Sequence, residues 1–114
     1  MSVPHVPQPH PGDDRTLRVL TYNIYNTTSD WERRRPLLIE GIRHHSPDLI
    51  ALQETVLTDG YDQAADVLGA GYHIINSRAR LPESWGATIA SRWPIRQVHE
   101  LDRAVSPRAE PWCT

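Results

Sequence analysis

The chain has 114 residues, 39% hydrophobic and 23% charged, with 12 basic and 14 acidic residues for a net charge of -2. That length allows one small domain, and the near-neutral balance argues against a large non-specific nucleic-acid surface. A single cysteine, Cys113, excludes an internal disulfide and a cysteine-rich zinc site, and it reads as an incidental thiol. No apolar run approaches the roughly 20 residues of a membrane span. No secretory signal is recognisable, so a cytoplasmic location is expected.

Residues 1 to 14 contain Pro4, Pro7, Pro9 and Pro11 with Gly12, Asp13 and Asp14. Such a segment buries too little surface to order itself and is expected to be a disordered tail, with His5 and His10 as solvated residues. A domain is expected over residues 15 to 114. Its first strand covers Leu17 to Ile24, with Leu20, Tyr22 and Ile24 on one face and Val19, Thr21 and Asn23 on the other. After a loop, Ser29 and Glu32 have capping-box spacing for a helix reaching about His45. Trp31, Arg35, Leu38 and Ile42 form its apolar-side stripe. Pro36 leaves two possibilities, a helix that starts near Arg35 or one that bends there.

Ser46-Pro47 stops the helix. Asp48 to Gln53 forms a second strand, apolar on both faces through Leu49-Ile50-Ala51-Leu52, as in a central strand. Strand, helix and strand make a βαβ unit with parallel strands. A short helix follows over Tyr61 to Leu68, ended by Gly69 or Gly71. Tyr72 to Ile75 and Gly86 to Ser91 read as strands. Arg92-Trp93-Pro94 makes a turn, and Ile95 to Leu101 alternates like the return strand of a hairpin. Residues 102 to 114 show no period. With no Phe in the chain, Trp31, Trp85, Trp93 and Trp112 are expected to fill the core. Arg33-Arg34-Arg35 reads as a solvated face with phosphate contact as the alternative.

Two polar residues stand out. Parallel neighbours bring their C-terminal ends to one sheet edge, where open α/β sheets hold their ligands. Asn23 ends the first strand and Glu54 the second, so the two converge. A carboxylate ending a buried strand requires a partner, and a hard cation such as magnesium suits it. The structural alternatives are a salt bridge or a cap for Glu54, and a turn bond to local backbone for Asn23. A small nucleotide binder has little support without a Gly-rich loop after the first strand.

Val19-Leu20-Thr21-Tyr22-Asn23-Ile24 resembles the first signature of the endonuclease/exonuclease/phosphatase superfamily (deoxyribonuclease I-like). Pro47-Asp48-Leu49-Ile50-Ala51-Leu52-Gln53-Glu54 resembles its second. Gly86 to Ile95 is similar to the hairpin that follows in many members. The resemblance covers about residues 17 to 101, the N-terminal half of a two-sheet α/β sandwich. It implies hydrolysis of phosphate esters in nucleic acid, phospholipid headgroups or inositol phosphates. It implies magnesium as cofactor, with manganese as the alternative. By the same resemblance Glu54 holds the metal, Asn23 positions its waters or the scissile phosphate as a metal-site and catalytic residue, and Gln53 supports the site by hydrogen bonding.

The family's Gly-Asp-x-Asn and Ser-Asp-His segments do not occur in these 114 residues. His44 and His45 precede Glu54 and read as helix C-terminal decoration, with His73 in a strand and His99 in the hairpin. The expectation is therefore a fragment of a hydrolase, inactive alone and without a stable protein partner. The alternative is an interaction module that keeps the fold pattern without the chemistry.

Overall fold

The structure is a computed structural model and describes residues 16–100. It is a mixed α/β fold: β1 (Val19–Asn23), α1 (Trp31–His45), β2 (Leu49–Thr58), β3 (Tyr61–Asp62), α2 (Gln63–Leu68), β4 (His73–Asn76) and β5 (Trp85–Ser91). A 3-10 turn, Gly69–Gly71, follows α2. The five-stranded sheet runs in the order β1-β2-β5-β4, with β3 beside the end of β2. The expected βαβ unit is present, since β1 and β2 are parallel with Val19 opposite Leu49 and Asn23 opposite Gln53. The expected helix follows it, and β5 pairs antiparallel with β4 rather than with the expected return strand after Pro94.

Hydrophobic burial places the helices on one face of this sheet. Ile24, Ile42, Ile50, Leu52, Ala64, Val67, Leu68 and Ala90 form the core, with Leu20, Trp31, Leu38, Ile39, Tyr72 and Ile74 packed around it. Each fully buried Leu or Ile contributes about 1.5–3 kcal/mol. The core is thus aliphatic, and the expectation that tryptophans fill it fails. Trp31 lies at its margin, and Trp93 is 38% exposed. The other sheet face stays open, with Val19 67% and Ile89 49% exposed. Half-exposed Leu49 and Ala51 follow from this, although β2 is central as expected.

Local chemistry explains the helix ends. Helix α1 begins at Trp31, one residue after the left-handed Asp30, and Ser29 makes no capping bond. Pro36 lies within this helix, and without an N–H it leaves the Glu32 carbonyl without its usual donor. The helix ends at a left-handed Ser46, whose N–H donates to the Ile42 carbonyl at 2.9 Å. Pro47 then prevents continuation. Asp62 caps α2 by accepting from the Ala65 N–H at 3.1 Å, and Gly69 at φ 73° terminates it.

Two further expectations are corrected. The second strand does not end at Gln53 but continues through Glu54 to Thr58. Residues 95–100 form no strand. Arg92 instead turns inward and pairs with Asp48 at 2.6 Å, their side chains 2% and 8% exposed. Arg92 Nη2 also donates to the Ser46 carbonyl at 2.6 Å, and Asp48 accepts from the Arg18 N–H at 2.8 Å. This pair draws the chain after β5 toward the start of β2 and away from antiparallel pairing. The expected tail over residues 1 to 14, the segment 102 to 114, Trp112 and Cys113 lie outside the described residues. Among those described, no helix is long and apolar enough to cross a membrane.

Arg33-Arg34-Arg35 is not a uniform solvated face. Arg33 is exposed and reaches Asp30 at 3.8 Å. Arg35 grips Asp66 with two bonds of 2.8 and 2.7 Å, tying α1 to α2. The Tyr61 hydroxyl also donates to Asp66 at 2.5 Å. Arg35, foremost, holds the Asp66 carboxyl below its ordinary value, while burial opposes the shift.

Two outcomes follow for stability. A depressed folded value means that Asp66 stabilises above its unfolded value of 3.8 and that this contribution is lost as pH falls through the folded value. Asp66→Asn should therefore flatten the fall in melting temperature below about pH 4, as read by circular dichroism. Arg92→Leu leaves the Asp48 charge buried and unpaired, and should cost about 3–5 kcal/mol in urea unfolding.

Candidate functional site

Strand β2 pairs regularly with β5 until Leu52 opposite Thr88, and resumes with Thr55 opposite Gly86. Gln53 and Glu54 thus stand against one residue, Ala87, which makes a β-bulge. Glu54 is left-handed at φ 61°, a conformation that costs a non-glycine residue about 1–2 kcal/mol. Such strain is characteristic of functional sites. The extra residue also shifts the side-chain parity of the strand. Ile50 and Leu52 face the helices, and after the bulge Thr55 takes that face in place of Glu54. The carboxylate is therefore turned out of the apolar core.

The parallel register sets Asn23 beside the bulge. Asn23 Nδ2 donates to Glu54 Oε2 at 3.3 Å, while its Oδ1 accepts from the Tyr25 N–H at 2.8 Å. The two converging residues thus meet directly, and the turn bond foreseen as the alternative for Asn23 forms as well. Gln53 Nε2 donates to Thr21 Oγ1 at 3.1 Å on the same face, one strand over. The Gln53 amide thus bonds to β1 and to the Ala51 carbonyl of its own strand rather than to the carboxylate.

Asn26 is the residue that sequence reasoning missed. It is 1% exposed, and its Nδ2 donates to Glu54 Oε1 at 3.4 Å. Its backbone N–H donates to the Glu54 carbonyl at 2.9 Å, and its Oδ1 accepts from the Thr28 N–H at 2.9 Å. The available signal was an Asn three residues after Asn23 in a loop, since Asn tolerates left-handed backbone. Asn26 does adopt it, at φ 45°, as do Tyr25, Ser29 and Asp30.

The far side of the bulge is held by the loop between β4 and β5. Arg80 Nη2 donates to the Thr55 carbonyl at 2.6 Å, and Nη1 donates to the Ser77 carbonyl at 2.9 Å. Thr55 and Thr88 hydroxyls lie 2.7 Å apart, and Thr88 donates to Asn76 Oδ1 at 2.6 Å. This polar seam closes the end of the core beneath Glu54.

Glu54 has two long amide donors and, among the described residues, no cationic partner. Its carboxylate therefore keeps acceptor capacity for a hard cation. The described residues contain no group of three or more His, Cys, Asp or Glu able to hold a metal. One carboxylate among amides suits magnesium, which keeps several of its waters, better than zinc. No described His is hydrogen-bonded to Asp or Glu: His99 meets Gln97 at 3.0 Å, and His44 and His45 stack edge to face at the end of α1.

A comparison with curated proteins returns no match. A solved structure, an AP endonuclease from Archaeoglobus fulgidus, is 26% identical with a TM-score of 0.49, over 68% of this chain. The chain spans 28% of that structure's length. The model of the Endonuclease/Exonuclease/phosphatase family matches residues 20–112. The chain therefore belongs to the Endonuclease/Exonuclease/phosphatase family.

Proposed function

We propose that this chain carries the metal-anchoring part of a magnesium-dependent phosphate-ester hydrolase. The observation that supports this reading best is the Glu54 carboxylate, on strained backbone at the β2 bulge, held by Asn23 and Asn26 and facing no cation among the described residues. Glu54 is the metal ligand, with manganese able to replace magnesium. Asn23 orients the carboxylate through Nδ2 and presents its amide to metal-bound water or to a phosphate oxygen. Gln53 steadies the neighbouring strand through Thr21. When bound, the ion polarises a phosphoryl oxygen and neutralises charge developing there.

In-line attack on phosphorus also requires a group that takes a proton from water. An imidazole does so when a carboxylate orients it, and no described His has that partner. The family's two later segments are likewise missing from the sequence. This supports reading the chain as part of a longer enzyme, in which other residues complete the chemistry.

Two measurements test the reading. Mn2+ titration followed by electron paramagnetic resonance should show one site, with affinity reduced at least tenfold in Glu54→Gln. Equal binding by that variant would remove Glu54 as the ligand. The chain alone, given magnesium, should not hydrolyse bis(p-nitrophenyl) phosphate above background. Turnover that disappears in Glu54→Ala would instead show that these 114 residues suffice.

A further inference from the structure

The loop between β1 and α1 carries Asn26 but has no regular structure of its own, and Tyr25, Asn26, Ser29 and Asp30 are all left-handed. One side chain spans nearly all its carbonyls. Arg34 donates through Nε to Ser29 at 2.8 Å and through Nη1 to Ile24 at 2.9 Å. Its Nη2 reaches Thr28 at 2.6 Å and Asn26 at 3.3 Å. The guanidinium also lies 5.2 Å from the centre of the Trp31 ring. Such a fork, always charged and planar, binds several acceptors that a lysine cannot reach together.

A second grip comes from the opposite side. Gln63, 0% exposed, accepts from the Val56 N–H at 2.9 Å and donates to the Asn26 carbonyl at 2.9 Å. Val56 lies two residues past Glu54, so Gln63 sets the spacing between the bulged strand and the loop. Arg34 and Gln63 thus meet on one carbonyl, that of Asn26. The same residue offers its side-chain amide to the Glu54 carboxylate and its N–H to the Glu54 carbonyl.

We propose that Arg34 and Gln63 are positioning residues for the Glu54 site and act through Asn26. They clamp its carbonyl, hold the left-handed loop closed and keep the Glu54 carboxylate aimed for metal binding. The metal part of this inference rests on Glu54 being the ligand. The clamp itself rests only on the hydrogen bonds.

The test uses the full chain with Arg34→Met, which keeps the aliphatic stem over Trp31, and Gln63→Glu, which keeps the Val56 bond but loses the donor to Asn26. Arg33→Met, at an exposed neighbour, is the control. Hydrogen exchange at the Asn26 and Thr28 backbone N–H groups should accelerate roughly tenfold in the first two variants and not in the control. Mn2+ affinity should fall roughly tenfold alongside, as for groups that orient a ligand, and Arg34→Lys should restore part of it.

Unchanged exchange in both Arg34→Met and Gln63→Glu would overturn the clamp. Faster exchange with Mn2+ affinity within twofold of the parent would overturn its role at the metal. Failure of the parent chain itself to bind Mn2+ would overturn the metal reading and this role together, while exchange would still decide the clamp.

Discussion

Glu54 adopts left-handed backbone in the middle of a ten-residue strand that carries much of the core. An unbroken strand would have turned its carboxylate toward the helices, among Ile50 and Leu52, where an unpaired charge is very costly. One extra residue resolves that conflict. It shifts the parity of β2, gives the core face to Thr55 and sends the carboxylate to the edge shared with β1. The strain persists because the surroundings over-determine it: the Glu54 carbonyl accepts from Asn26, and the Thr55 carbonyl accepts from Arg80.

Polar contacts organise both ends of β2, and they do different work. At its start, Asp48 and Arg92 form a buried ion pair that closes the sheet on Arg18 and Ser46. The opposite charges lie against one another, with Arg92 Nη2 on the Ser46 carbonyl and Asp48 Oδ2 on the Arg18 N–H, so that end is structural. At the bulge, the donors to Glu54 are neutral amides at 3.3 and 3.4 Å. Neutral donors orient a carboxylate without cancelling its charge. That difference is what makes the bulge end able to take a cation. Between the two ends, the aliphatic core fixes their separation, because close-packed interiors deform little.

The sequence pattern made several of these features legible. The apolar run Leu49 to Leu52 identified the central strand, and the spacing of two strands around a helix identified the parallel pair. Given parallel strands, Asn23 and Glu54 come to the same sheet edge, but the bulge is what turns the Glu54 carboxylate onto Asn23. The bulge was hidden because alternation in Gln53-Glu54-Thr55 resembles a strand ending in polar residues. Arg34 and Arg35 were hidden inside a run of three like charges, where sequence cannot tell which one faces carbonyls and which faces Asp66. Gln63 lies in the short helix that the sequence indicates, yet it is wholly buried because two backbone groups need its amide, which no local pattern encodes.

The sequence by itself therefore determined the elements that depend on near neighbours: periodicity, the proline and glycine stops and the parallel strands around the first helix. Tertiary structure decided everything that depends on bonds between distant residues. It turned Arg92 onto Asp48, so that residues 95–100 do not form the expected return strand. It left Trp31 at the margin and Trp93 partly exposed, outside a core small enough for aliphatic side chains to fill. It also brought Gln63, far along the chain, onto the Asn26 carbonyl beside Glu54. Buried polar groups must find partners wherever the fold places them, and a linear pattern does not encode those pairings.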